Sequence, residues 1–238
     1  MTREFPDDCL QAVVPPWWTV VEDRRIRRGH LIWAFVPHVD QVPLGLFMEG
    51  RSSPTNHQRA RYRVEPLDVS QRPAGPRLPV AALPDYPGEV RAVYRAKSRP
   101  AIVLSTGGHD VPKELRRGSA RWQTAPTLLV APYYGAGRSE RRGGWRPELT
   151  ERIRSCHYPQ YIWDRLPIGA SEESILRLDH CQPIGRHPSA CRWTPHCLHS
   201  DALVVLDEWL EWFIRGEIPS DGILAMILQE IRNWNQAR

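Results

Sequence analysis

Arg99-Pro100-Ala101-Ile102-Val103-Leu104-Ser105 is the stretch that decides how this chain folds. Its apolar residues run without a polar break, which fits a strand buried on both faces. Pro100 belongs at the first position of that strand, where a missing N–H is tolerated. Upstream, Gly29-His30-Leu31-Ile32-Trp33-Ala34-Phe35-Val36-Pro37 is rich in β-branched and aromatic residues and is bounded by Gly and Pro, so it predicts a strand. Downstream, Thr127-Leu128-Leu129-Val130-Ala131 predicts another buried strand, running into a loop at Pro132-Tyr133-Tyr134-Gly135-Ala136-Gly137. Residues 89–94 suggest a short strand. Tyr161-Ile162-Trp163 and Ser174-Ile175-Leu176-Arg177-Leu178 read as a late strand pair.

The C-terminal end is helical in pattern. Leu203, Leu206, Leu210 and Phe213 recur at helical spacing over 201–215, with Ser200 as N-cap and Gly216 as C-cap. Ser220 can cap a last helix to about Trp234. Residues 48–88 break any regular period, with Pro73, Pro76, Pro79, Pro84 and Pro87 and the basic run 59–63. They read as a long insertion holding one or two short strands. A second insertion covers 138–155, with a short helix at 148–156. Residues 1–28 read as a lead-in that packs Trp17 and Trp18 on the main domain.

Composition narrows the class. Apolar residues make up 41% of the 238, enough for a core, and the ten Trp supply large buried areas. The net charge is +5, carried mostly by Arg, with Lys only at Lys97 and Lys113. Arg offers a planar fork of donors that suits phosphate, although a bias toward Arg codons gives the same composition. No apolar stretch is long enough to span a bilayer, and the polar N-terminus lacks a signal-peptide core. An odd count of five Cys without such a signal points to reduced thiols and a cytoplasmic setting. Nine of the fourteen Cys and His residues fall between 156 and 199, but at irregular spacing without a Cys-x-x-Cys pair. That pattern does not by itself specify zinc.

Several of these segments resemble the MazF/PemK toxin family. Gly29-His30-Leu31-Ile32-Trp33 is similar to the family's opening strand, and the 99–105 string to its Arg-Pro-Ala-Val-Val-Leu-Ser strand. Val130-Ala131-Pro132-Tyr133-Tyr134 stands at the place of a strand ending in Val-Pro-x-Thr. Leu176-Arg177-Leu178-Asp179-His180 resembles the Asp-Gln strand, and an amphipathic helix follows in both. The resemblance implies a mainly β fold with α: a small SH3-like barrel with long loop insertions and C-terminal helices. The barrel would span 29–199, interrupted near 44–88 and 136–160. An N-terminal extension covers 1–28 and a helical segment 200–238.

The resemblance implies an endoribonuclease that cuts single-stranded RNA without metal or cofactor, in a toxin–antitoxin or defence system. The 2′-OH attacks its own phosphate, which requires proton transfer and neutralisation of charge on the phosphorane. Arg99 matches the family's catalytic arginine. Tyr134 falls where the family has Thr or Ser; its phenol still donates a hydrogen bond, but it is bulkier and reaches farther. Asp179 sits where some members carry a functional acid, either ordering an Arg or accepting a proton. His180 would point to the opposite strand face from Asp179. His38, Arg138, Arg141 and Arg142 are candidate RNA contacts, and His30 and His109 further acid/base candidates. Implied partners are single-stranded RNA, a second copy and an acidic antitoxin, with no membrane. From the residues alone, a non-catalytic SH3-like barrel binding nucleic acid or a partner protein stays open.

Overall fold

The computed structural model describes residues 9–53, 55–68, 70, 88–108, 111–118, 127–137, 144–169 and 173–236. The chain divides into two units, Met1–Phe35 with Ser98–Arg238, and Val36–Lys97. It is mainly β with a few helices, and its principal sheet curls into a half-barrel.

In chain order the elements are α1 (Leu10–Val13), β1 (Trp18–Val20), β2 (His30–Pro37), β3 (Leu44–Ser53), β4 (Asn56–Pro66), β5 (Ala92–Val93) and β6 (Ala96–Ser105). There follow β7 (Leu128–Gly135), α2 (Pro147–Arg154), β8 (Tyr161–Arg165), β9 (Glu173–Arg177), β10 (Gln182–Ile184), β11 (Cys191–Leu198), α3 (Ser200–Arg215) and α4 (Ile223–Gln236). The half-barrel sheet runs β1-β11-β2-β6-β7-β9-β8, with β10 also pairing β7.

β6 and β7 lie at its centre and pair antiparallel, with Ala101 opposite Pro132 and Val103 opposite Val130. Ala101, Ile102, Val103 and Leu104 are all buried, as the unbroken apolar run predicts. On one face, Leu31, Ile102, Leu104, Ala131, Tyr133, Leu176 and Leu178 pack with Leu206, Trp209, Leu224, Leu228 and Ile231 of α3 and α4. Each such buried aliphatic side chain contributes about 1.5–3 kcal/mol. Gly29 opens β2 at φ 81°, and a Cβ there would meet Leu203 Cδ2 at 2.8 Å. Only glycine meets both demands, so the start of β2 closes against α3.

Some local expectations need correction. Pro100 lies inside β6 rather than at its start, but pairing with β7 begins at Ala101, so its missing N–H breaks no bond of that ladder. Pro132-Tyr133-Tyr134-Gly135 continues β7 instead of looping, because β9 pairs with it from Tyr133 to Gly135. Leu178–His180 is one turn of 3-10 helix rather than strand. His199, not Ser200, caps α3, its side chain accepting from the Asp201 N–H; Gly216 closes that helix at φ 78°.

The 48–88 stretch also holds more regular structure than its composition suggests. β3 and β4 form a long hairpin, and β3 also pairs β5, giving the order β4-β3-β5. Leu46 opposite Val64 and Met48 opposite Tyr62 supply the cross-strand pairs that hold it.

The lead-in is anchored through a buried carboxylate. Asp164 of β8, 1% exposed, accepts hydrogen bonds from Tyr133 (2.7 Å) and Trp17 (3.3 Å), and from the Gln11 amide. Burial pushes its pKa up to about 6, against the opposing pull of the bonds from Tyr133 and Trp17. A group raised in the folded state stabilises fully below its ordinary 3.8, and that contribution is lost as pH rises through about 6. The shift corresponds to about 3 kcal/mol. Urea unfolding is therefore expected to show stability falling from pH 4 to pH 7, and Asp164→Asn is expected to remove that part of the slope. An unchanged slope in the variant would assign the dependence elsewhere.

Candidate functional site

Strand alternation puts two neighbouring tyrosines on opposite faces of β7. Tyr133 turns into the core with Ala131, where burial first and Asp164 second push its phenol well above the ordinary range. Tyr134 turns to the other face. Extending the β6–β7 register two places beyond Ala101–Pro132 sets Arg99 directly across from it. The Arg99 Cζ lies 4.0 Å from the Tyr134 ring centroid, close for a cation–π contact.

β9 brings a second guanidinium. Ile175 pairs with Tyr134, and Arg177, two residues on, shares that face. Its Cζ lies 5.5 Å from the Tyr134 centroid, 5.5 Å from that of Tyr161 and 5.9 Å from that of Trp145. Tyr161 stands opposite Arg177 in the β8–β9 ladder, and Trp145 meets Tyr161 edge-on at 5.4 Å. Asp179 holds Arg177 in a fork: Nε donates to Oδ1 at 3.0 Å and Nη2 donates to Oδ2. Burial pulls the Arg177 pKa down, but the bond and charge of Asp179 outweigh it, and the net shift is upward.

The 3-10 turn at Leu178–His180 makes the constellation. On a continued strand, Asp179 and His180 would face apart, as the sequence suggests. The turn instead lets Asp179 reach back to Arg177 while His180 reaches Tyr134. His180 Nδ1 is 2.8 Å from the Tyr134 hydroxyl, and the rings meet edge-on at 5.5 Å. His180 is 8% exposed, whereas Arg177 and Asp179 keep 21% and 26% of their side-chain surface. The node thus couples a hydroxyl–imidazole pair to two guanidinium groups and a carboxylate, at a partly open surface.

Of the residues singled out in the sequence, Arg99, Tyr134 and Asp179 meet here, Asp179 through Arg177. Arg177, His180, Tyr161 and Trp145 join them, and the sequence reading assigned them no role. The one local signal was Arg177-x-Asp179, spaced so that the side chains share a strand face. His30 is fully buried, its Nδ1 accepting from the Arg27 N–H at 3.0 Å, and burial lowers its pKa. It is a structural histidine of β2. His38 belongs to the Val36–Lys97 unit, where its N–H donates to the Arg95 carbonyl at 2.8 Å. Arg138, Arg141, Arg142 and His109 lie outside the described residues.

The five cysteines form no disulfide. Among the described residues no cluster of three or more His, Cys, Asp or Glu side chains is arranged to hold a metal ion, and no helix is long and apolar enough to cross a membrane. No family model, curated protein or solved structure matches the chain.

The ring and the hydroxyl of Tyr134 make separable contributions. Tyr134→Phe keeps the cation–π stack and loses one hydrogen bond, so it is expected to lower unfolding free energy by about 1 kcal/mol. Tyr134→Ala also removes the ring from between its neighbours and should lower it by about 3 kcal/mol. Equal losses in urea titrations would show that the stack contributes nothing.

Proposed function

We propose that this node is the active site of an endoribonuclease that cleaves single-stranded RNA by metal-independent attack of a 2′-OH, in the manner of MazF/PemK toxins. The observation that carries the reading is Tyr134, whose ring lies against Arg99 and Arg177 while its hydroxyl is hydrogen-bonded to His180 Nδ1. Phosphoryl chemistry on RNA needs a proton acceptor beside cations that stabilise the phosphorane, and the node supplies both. Further support comes from the Arg99–Ser105 and Gly29–Trp33 segments, which resemble the family's strands and form adjacent strands of the central sheet.

In this reading Arg99 and Arg177 take the non-bridging phosphate oxygens, and Asp179 acts as a positioning residue that fixes the Arg177 fork. Tyr134 Oη takes the 2′ proton as its own proton passes to His180 Nδ1, the imidazole starting with its proton on Nε2. The 2′ oxygen forms its bond to phosphorus. The bond from phosphorus to O5′ breaks, and O5′ takes a proton from water. The hydroxide so formed is neutralised by the His180 imidazolium. The products are a 2′,3′-cyclic phosphate and a 5′-hydroxyl end. Tyr161 and Trp145 provide aromatic surface beside the phosphate position, of the kind on which single-stranded bases stack. The family reading adds a toxin–antitoxin or defence setting, a homodimer and an acidic antitoxin.

The test is cleavage of end-labelled single-stranded RNA by purified chain, with and without EDTA. The expected result is chelator-insensitive cleavage leaving a cyclic phosphate. Arg99→Ala and Tyr134→Phe should each slow it by about 10²–10³-fold. A folded wild type that binds RNA and leaves it intact would sink the enzyme reading in favour of a non-catalytic nucleic-acid-binding barrel. One that does neither would sink both.

A further inference from the structure

Two buried N–H groups stand unpaired among the described residues where β2 meets β11. Trp193 stands opposite Ile32, and His30, two residues before Ile32, shares its strand face. The His30 and Trp193 rings meet edge-on, with centroids 6.4 Å apart and planes at 79°. His30 is fully buried, and its Nδ1 accepts from the Arg27 N–H, so the neutral ring carries its proton on Nε2. Burial keeps that ring neutral, with Arg27 acting in the same direction and Asp23 against them. Trp193 Nε1 is a donor only. Both nitrogens are closed to solvent, and among the described residues neither has a hydrogen-bond partner.

A buried donor left unpaired loses its hydration without compensation, so native interiors rarely keep one. Two such donors on adjoining rings point to a shared acceptor. The backbone beside them is irregular. From His30 to Ile32 the chain of β2 advances two residues, while β11 takes four between the partners Cys197 and Trp193, so β11 bulges over 194–196. The bulge is pinned on both sides. Thr194 Oγ1 donates to the Leu31 carbonyl and accepts from the His196 N–H at 3.3 Å. The Pro195 carbonyl accepts from the Val21 N–H at 2.8 Å.

We propose that the two donors hold one internal water molecule at this bulge, its oxygen accepting from His30 Nε2 and Trp193 Nε1. A water oxygen has two acceptor positions, which matches the two donors, and the interrupted ladder is where its own hydrogens would find carbonyl oxygens. The chemistry favours water over an anion. The His30 ring is neutral, and the Arg27 guanidinium beside it is already held by Asp23 at 2.6 Å, whereas a buried anion would need a cation of its own. The bridge ties β11 to β2 where their register lapses, next to Gly29, which closes β2 against α3. The site uses none of the groups at the Tyr134 node and does not depend on the function proposed for it.

The test is NMR of the full chain labelled with nitrogen-15. Long-range proton–nitrogen correlation is expected to find the His30 ring with its hydrogen on Nε2. That hydrogen and the Trp193 indole hydrogen should both show cross-relaxation to a water held longer than bulk solvent. Trp193→Phe keeps an aromatic ring and removes one donor, so it should weaken the His30 cross-peak to water at least about twofold. The wild-type spectra stand by themselves if that variant does not fold. A His30 ring protonated on Nδ1 instead, or water contact from only one of the two hydrogens or from neither, overturns the proposal. So does a saturable shift of both signals when sodium chloride replaces sodium sulfate at equal ionic strength, since a small anion then takes the two donors.

Discussion

Everything in the larger unit depends on the antiparallel ladder between β6 and β7, which is buried on both sides. A strand with two buried faces must sort its side chains by alternation, and here the sorting separates structure from chemistry. Ile102, Leu104, Ala131 and Tyr133 turn toward the helices α3 and α4. Arg99 and Tyr134 turn the other way and meet across the ladder. A shift of β6 by one residue against β7 would send Arg99 toward the apolar core and away from Tyr134. Core packing and the arginine–tyrosine contact are therefore fixed by the same hydrogen bonds.

The adjacent tyrosines show how differently one side chain behaves on the two faces. Tyr133 is sealed in, and its hydroxyl serves a buried carboxylate that also holds Trp17 and Gln11. That network binds the lead-in segment to β8, and its cost lies in keeping a carboxyl group away from water. Tyr134 is partly open, and its hydroxyl is shared with the imidazole Nδ1 of His180. The 3-10 turn after Arg177 does the remaining work, since it alone lets consecutive residues 179 and 180 serve the same node.

The central strands were legible in the sequence because burial on both faces leaves an uninterrupted apolar run. The 99–105 string, the 161–163 and 174–178 pair as far as Arg177, and α3 with Gly216 followed from local pattern. What pattern could not show was pairing. Pro132-Tyr133-Tyr134-Gly135 has the composition of a loop and becomes strand because β9 lies alongside it. The β3–β4 hairpin was obscured by the prolines that follow it and by Arg residues alternating with Tyr62 and Val64, an alternation that a half-covered strand requires. Arg99, Tyr134 and Asp179 could be picked out by resemblance. His180 could not, because its contact with Tyr134 depends on a change from strand to 3-10 geometry after Arg177, which no composition signal marks; for Arg177 the one signal was its spacing to Asp179.

Charge at the Tyr134 node bears on the proposed reading. Arg99 and Arg177 lie against one phenol ring, and Asp179 is engaged in a fork with Arg177. A cation–π contact is weaker than an ion pair in a desolvated site, so on the proposed reading an anion entering beside the arginines gains more from them than the ring does. A phosphodiester meets that requirement: it carries one charge, presents two oxygens to a pair of forks, and brings flanking bases toward Tyr161 and Trp145. A carboxylate ligand would satisfy the charge but leave the aromatic surface idle. That aromatic surface is why the proposal takes nucleic acid rather than a simple anion as the ligand.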